Sequence, residues 1–333
     1  MVVAELEQIP TPRLLVGDVL AKLRTLPANS CDLVVSSPPY NLQKEYERDE
    51  RRSLREYGAW QSKVVKALSR VLRDGASVCW QVGTYVSDGE VFPLDELFLP
   101  IFRNNGFKLR NRIVWRYNFG LNATQRFSGR YETVLWLTKG DGYTFNLDPV
   151  RVPQLYPGKR HGPKKGLKAG QPSGNPLGKN PSDFWEFSPG TDFMDADVWD
   201  IPNVKSRHPE RTSHPCQFPV ELAERCVLAL SNPGDTVLDP FIGTGTTAIA
   251  AMKWGRFAVG IDRDSEYVEV ARGRLKALAD GTLITRQLGT PIRQPSAREG
   301  VARVPEEWLE TKSSAVGVER GEEGQEEAKE AVS

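Results

Sequence analysis

The sequence predicts an α/β fold: a mostly parallel sheet with flanking helices, interrupted by a long insertion. Three observations carry the prediction. Short apolar runs alternate with stretches whose apolar residues recur at helical spacing. One run, Thr236-Val237-Leu238-Asp239, passes through a Gly-rich turn into a helix, and Asp262 closes the run after it. Between these two halves, from about residue 150, the alternation gives way to Gly, Pro and Lys.

Each element follows from its residues. Arg13 to Val16 is a strand closed by Gly17-Asp18, and Val19, Leu20, Leu23 and Leu26 then recur as a helix. Asp32 to Val35 reads as a buried strand ending in Ser36-Ser37-Pro38-Pro39-Tyr40. The stripe Trp60, Val64, Val65, Leu68, Val71, Leu72 predicts a helix that stops at Asp74-Gly75, where glycine supplies a C-cap. Ala76 to Val82 is a strand. Leu94 to Phe102 is helical and ends at Asn104-Asn105-Gly106, and Arg112–Tyr117 and Glu132–Leu137 are two more strands. This alternation argues for parallel strands joined by crossover helices. Regular structure resumes at Phe218, with a helix over Val220–Leu230, the strand 236–239, a helix, the strand 257–261 and a last helix over 264–279.

The segment Arg151 to Pro181 carries Arg151, Lys159, Arg160, Lys164, Lys165, Lys168 and Lys179 and no acid. A loop this long in a compact domain is either functional or a solvated excursion. The acidic C-terminal stretch EEGQEEAKEAVS reads as a disordered tail. The expected organisation is 12–149 and 214–282 as two halves of one domain, 150–213 as an insertion, and 283–333 as a C-terminal extension.

The chain of 333 residues has a formal net charge of +1, so any nucleic-acid contact must come from a local patch rather than the whole molecule. Cys31, Cys79, Cys216 and Cys226 form no C-x-x-C pair, and the three histidines give no zinc spacing. Reduced structural thiols are expected, in the cytoplasm. The N-terminus lacks the apolar core of a signal peptide, and no apolar run approaches the ~20 residues of a membrane helix. Trp80, Trp115 and Trp136 are expected in the core, and His161 and His208 on exposed loops.

The chemistry-bearing motifs come next. Asp239-Pro240-Phe241-Ile242-Gly243-Thr244-Gly245-Thr246 joins a strand to a helix, and glycines there let a ligand approach the backbone. Asp262, at the end of the next strand, is placed to accept hydrogen bonds from ribose hydroxyls. The absence of Gly-Lys-Ser/Thr points away from ATP. Ala248 stands where a dinucleotide fingerprint would have its third glycine, and alanine is allowed there, so spacing alone does not separate NAD from S-adenosylmethionine.

Ser37-Pro38-Pro39-Tyr40 resembles the catalytic signature of the amino-methylating DNA methyltransferases, and Asp239 to Thr246 resembles their S-adenosylmethionine loop. His214-Pro215-Cys216-Gln217-Phe218-Pro219 looks like their third cofactor element, and Gly17-Asp18 ahead of the catalytic strand also matches. The likeness spans about Leu14 to Leu275. The order, with the catalytic motif first and the cofactor loop last, is similar to the β subgroup, a circularly permuted version of the Rossmann-like methyltransferase fold.

The resemblance implies S-adenosylmethionine as cofactor, held by Asp18, Ser36, His214, Pro215, Asp239, Pro240, Phe241, Gly243, Gly245, Thr246 and Asp262. It implies duplex DNA as substrate and a target-recognition role for residues 150–213, with Arg160, Lys164, Lys165 and Lys168 on phosphates. Trp185, Phe187 and Trp199 are expected to pack locally, and Arg207 to be either a phosphate contact or a surface charge. A nucleoid-associated protein follows. A cognate restriction endonuclease and pairing of two chains are left open.

The chemistry of the residues agrees. An exocyclic base amine is a poor nucleophile because its lone pair is delocalised into the ring. Ser37 Oγ and the Pro38 carbonyl can accept both amine hydrogens and draw the nitrogen towards tetrahedral geometry. Proline keeps that carbonyl out of regular sheet pairing. Tyr40 offers a face on which a base flipped from the duplex can stack. The expected reaction is direct in-line transfer without a covalent enzyme intermediate, so Cys216 has no nucleophilic role. Asn41 onward is expected to begin a mobile loop near DNA. In the resembled family serine at position 37 and phenylalanine at 218 lean towards cytosine N4. Adenine N6 is the alternative, with a protein glutamine amide or an inactive DNA-binding module behind it.

Overall fold

The computed structural model describes residues 11–41, 52–87, 89–117, 122–154, 156–163, 166–185, 204 and 208–288. Lys164, Lys165, Phe187, Trp199 and Arg207, the residues that follow Asn41 up to 51, and the acidic tail lie outside them, as does the side chain of Trp185. The first half of the chain gives β1 (Arg13–Val16), α1 (Val19–Thr25), β2 (Cys31–Ser36), α2 (Leu54–Val71), β3 (Leu72–Val82), β4 (Thr84–Ser87), β5 (Glu90–Pro93), α3 (Leu94–Asn104), β6 (Phe107–Arg116) and β7 (Tyr131–Lys139). The second half gives β8 (Phe184–Trp185), α4 (Val220–Leu230), β9 (Thr236–Asp239), α5 (Thr246–Lys253), β10 (Phe257–Asp262) and α6 (Ser265–Ala279).

The central sheet runs β1-β10-β9-β2-β3-β7-β6-β8. Pairing is parallel from β1 through β3, antiparallel for β3–β7 and β7–β6, and parallel again for β6–β8. The sheet is mostly parallel, as expected, but β7 runs against its neighbours. The expectation of crossover helices throughout therefore fails for β6 and β7, which share an antiparallel ladder from Phe107↔Lys139 to Arg116↔Tyr131. An antiparallel ladder needs no crossover.

Both faces of the sheet are covered, which is why its strands read as continuous apolar runs. Leu33, Val35 and Val237 face the core under α4 and α5, while Val34, Val78, Trp80 and Leu238 face the core under α2 and α3. Alternate residues of one strand thus enter opposite cores. Trp80, Trp115 and Trp136 are buried, as expected. The helices are capped locally: Asp18 accepts from Ala21 N, Asp264 accepts from Glu266 N, and Ser53 and Glu56 form a reciprocal capping box.

Further departures are local. Helix α2 ends at Val71 rather than at Asp74-Gly75, because the chain turns straight into β3. Gly75 instead sits within β3 with φ +80°, where the register with β2 shifts. The β4–β5 hairpin was not foreseen. His208 and His161 are half-buried rather than exposed, and His208 Nδ1 accepts from Glu210 N. The basic segment folds back on itself through the bridges Val152↔Lys179 and Arg160↔Pro172. Leu283 and Leu288 pack against the core, and Arg286 N donates to buried Glu210 while its guanidinium pairs with Glu221, so the chain after 282 begins anchored. Among the described residues no helix is long and apolar enough to cross a membrane.

Candidate active site

Parallel strands bring their carboxyl ends to one edge, where ligands of open α/β sheets bind. At that edge β2 ends in Ser36, β9 in Asp239, β10 in Asp262 and β1 in the Gly17-Asp18 turn. Because β7 runs the other way, its first residues reach the same edge: Thr133 pairs with Val82, which places Glu132 beside Gly83. Tyr117, just past β6, arrives there too. A cavity of about 880 Å³ opens at this edge, within the usual size for cofactor and substrate sites.

Ser37, Pro38, Pro39 and Tyr40 line the cavity. Ser37 Oγ lies 3.1 Å from Tyr40 Oη, and Tyr40 Oη donates to Glu132 Oε2 (3.2 Å). Gln81 Nε2 donates to the same carboxylate oxygen, and Tyr117 Oη donates to Oε1 (3.4 Å). Burial and the Glu132 charge hold the Tyr117 hydroxyl well above the ordinary tyrosine range. Buried Tyr57 donates to the Pro39 carbonyl (2.7 Å) and accepts from Gln61 Nε2 (3.2 Å), which fixes the proline turn from below. Asn41 stands at φ +59°; its Nδ2 donates to Arg52 O (2.8 Å), and its Oδ1 accepts from Arg52 N.

At the other end of the cavity lie Asp18, Pro240, Phe241, Gly243, Thr246 and Asp262, together with His214 and Pro215. Asp262 Oδ2 accepts from Gly243 N (2.9 Å) and Oδ1 from Asp264 N (2.9 Å), so the acid ties the Gly-rich turn to the next helix as well as facing the cavity. Burial raises its pKa. Phe241 packs against Trp60 and Trp80, with ring centroids 5.8 and 6.1 Å away. His214 stacks edge-on against Tyr267 at 4.5 Å, accepts from Cys216 N at Nδ1 (3.1 Å), and is pushed down to about 4 by burial. It is neutral at pH 7.

Three predicted residues lie beneath the cavity instead. Ser36 and Asp239 are each 1% exposed, and Ser36 Oγ donates to Asp239 Oδ1 (2.6 Å), which also accepts from Phe241 N (3.0 Å). Gly245 has φ +87°, and a Cβ there would come within 3.0 Å of Ala271. Its lack of a side chain admits α6, not a ligand. Arg160 and Lys168 are exposed on the insertion, outside the cavity lining, with Arg160 Nη1 donating to Gly170 O (2.8 Å). Sequence reasoning missed Glu132, Gln81, Tyr117 and Tyr57. The one signal for Glu132 was an acid at the head of an otherwise apolar strand.

Residues 31–273 match the family model described as DNA methylase, of the N6/N4 type. The chain belongs to this family of amino-methylating DNA methyltransferases. A type II methyltransferase of Bacillus subtilis, M.BglII, is 48% identical over 286 residues, 86% of this chain and 74% of that protein. The DNA adenine methyltransferase YhdJ of Escherichia coli K12 is 33% identical over 264 residues, 78% of this chain and 81% of that one. A DNA modification methylase of Thermus thermophilus, solved complexed with S-adenosyl-L-methionine, superposes with a TM-score of 0.56 at 27% identity, covering 85% of this chain and 100% of that one.

The cofactor implied for a DNA methylase of this kind is S-adenosylmethionine, and the cavity of this one fits it. Three carboxylates, Asp18, Asp262 and Asp264, line the cavity and can meet the ammonium and ribose hydroxyls of the cofactor, beside three arginines, Arg52, Arg126 and Arg263. Phe241, Pro240 and Ile242 add an apolar surface for a flat base.

Proposed function

We propose that the protein is a site-specific DNA methyltransferase that modifies cytosine at its exocyclic N4. The observation that carries amino-methylation is the pair of acceptors at the head of the cavity, Ser37 Oγ and the Pro38 carbonyl, next to the ring of Tyr40, and serine at 37 with phenylalanine at 218 is what leans the reading towards cytosine. Ser37 and Pro38 accept the two amine hydrogens and turn the nitrogen lone pair outward. Tyr40 stacks under a base flipped from the duplex. Asp18, His214, Phe241, Gly243, Thr246 and Asp262 hold the cofactor, and Ser36, Asp239 and Gly245 shape the loop from below. When bound, S-adenosylmethionine supplies a methyl group on a sulfonium sulfur open to direct displacement.

Residues 150–213 serve target recognition on this reading, between the catalytic half, 12–149, and the cofactor half, 214–282. Arg160, Lys164, Lys165 and Lys168 meet DNA phosphates. If Lys164 and Lys165 act so, changing both to Ala lowers DNA affinity and flattens its salt dependence by about two phosphate contacts' worth; an unaltered slope refutes the assignment. A companion restriction endonuclease is in keeping with the type II methyltransferase names of the relatives, and cytoplasmic work on the nucleoid follows from the substrate.

A second reading, adenine N6, is favoured by the likeness to YhdJ, which is named as an adenine enzyme. Mass spectrometry of nucleosides from duplex DNA incubated with the protein and labelled cofactor separates the two. N4-methylcytosine is expected. N6-methyladenine would replace the first reading with the second, and an unlabelled nucleoside pool would refute both.

A further inference from the structure

Glu132 stands behind the catalytic turn in a position the reading above leaves without a task. It is half-buried at the head of β7 and lines the cavity. Its carboxylate collects three donors from three elements: Tyr40 Oη from the turn after β2, Gln81 Nε2 from β3 and Tyr117 Oη from the end of β6. The Tyr40 ring is seated closely, since a Cβ on Gly83 would come within 3.0 Å of it. Tyr40 Oη in turn lies 3.1 Å from Ser37 Oγ.

We propose that Glu132 sets the direction of this hydrogen-bond chain and thereby makes Ser37 an acceptor for the target amine. The inference rests on the reading of the protein as a DNA amino-methyltransferase and deepens it. An ionised carboxylate only accepts. Tyr40 has one hydroxyl hydrogen, and the carboxylate takes it, in preference to the Gln81 carbonyl at 3.5 Å. Tyr40 then has only lone pairs to offer Ser37, so the Ser37 hydrogen points back to Tyr40. The Ser37 lone pairs are left facing the cavity. Glu132 touches no reacting atom, so it is a positioning residue that acts through Tyr40 and Ser37.

Replacing the carboxylate by an amide can reverse the chain. In Glu132→Gln the Gln81 amide turns to present its Oε1, which has no hydrogen-bond partner among the described residues, and the new amide nitrogen donates to Gln81 and to Tyr40; the Tyr40 hydrogen then turns to Ser37, and the Ser37 hydrogen points at the amine hydrogens. The change is one of direction, with volume preserved. Tyr40→Phe keeps the stacking ring and cuts the same chain at its middle, so it reports on the proposal even if Glu132→Gln folds poorly.

The test uses the full chain and a duplex carrying the base that the wild-type protein methylates, located by mapping modified sites. Without cofactor, and with the target placed opposite an abasic site so that pairing does not differ, wild type should bind the amino base it methylates, cytosine or adenine, more tightly than its oxo counterpart, uracil or hypoxanthine, because the amine is replaced by a carbonyl that Ser37 lone pairs repel. In Glu132→Gln this preference should shrink or invert by on the order of tenfold. With cofactor, kcat should fall on the order of 100-fold while cofactor affinity holds. In a Tyr40→Phe background Glu132→Gln should add less than about twofold, as members of one chain do. Unchanged base discrimination in Glu132→Gln, or losses that multiply across the two variants, would overturn the proposal. Wild type that methylates no DNA base would instead bring down the functional reading, before any variant is made.

Discussion

Asp239→Asn tests the energetics under the cofactor loop. Asp239 is 1% exposed; its Oδ1 holds Ser36 and the Phe241 amide, and the Thr247 side chain adds to these in favouring the ionised form. Burial outweighs these hydrogen bonds and pushes the carboxyl from 3.8 up to about 6. Between those two values the folded protein keeps a proton that the unfolded chain has lost, so stability falls as pH rises through the window. At about 1.4 kcal/mol per pH unit the whole window is worth about 3 kcal/mol, of which about 1.4 kcal/mol is lost between pH 5 and pH 8. Asparagine cannot ionise. Its amide nitrogen at the Oδ2 position costs about 1–3 kcal/mol as a buried donor, but that cost is the same at both pH values. Urea unfolding of both proteins at pH 5 and pH 8 reads the difference directly, and other titrating groups cancel. Relative to wild type, the variant should gain about 1.4 kcal/mol on going to pH 8. A difference that does not move with pH refutes the buried, ionised Asp239.

Gly245→Ala should cost about 2 kcal/mol or more, from a left-handed backbone and the displacement of α6, and lower the melting temperature. A wild-type melting temperature would refute the close approach. Tyr57→Phe removes the 2.7 Å bond to the Pro39 carbonyl. It should cost about 1 kcal/mol of stability and slow methylation while leaving cofactor affinity unchanged; equal rates would show that the proline turn holds itself. His214, at about 4, stays neutral down to pH 5, so cofactor affinity should run flat through pH 6.5. Its neutral burial favours folding above pH 6.5, and that contribution is lost as pH falls from 6.5 towards 4. An affinity break near pH 6.5 that disappears in His214→Gln would contradict this.

The second half of the chain was legible almost residue by residue. Thr236 to Asp239, the Gly-rich turn and Asp262 combine an apolar run, glycines at positive φ and an acid at a strand end, each of which is a local signal. The direction of β7 was not legible, because alternation shows that a strand exists but not which way its neighbours run. Glu132 was missed for the same reason. Its task comes from Tyr40, Gln81 and Tyr117, which meet only once β7 is reversed. Gly245 was read as room for a ligand, and a single glycine cannot say whether a cofactor or a helix needs the space. Ser36 and Asp239 were expected to hold the cofactor, yet both face the protein rather than the cavity.

The β2–β9 seam has a consequence for how the molecule is made. Leu33 pairs with Val237, and Ser36 bonds Asp239 across 203 positions of sequence. During synthesis β2 therefore leaves the ribosome long before its neighbour exists. Until then one side of the half-built sheet is an open edge of apolar strand, the kind of surface on which nascent chains aggregate. Closing so long a loop makes the seam a slow step in folding. Since the cavity straddles the seam, no partly made chain has a complete site, and methylation begins only when β9 has paired with β2.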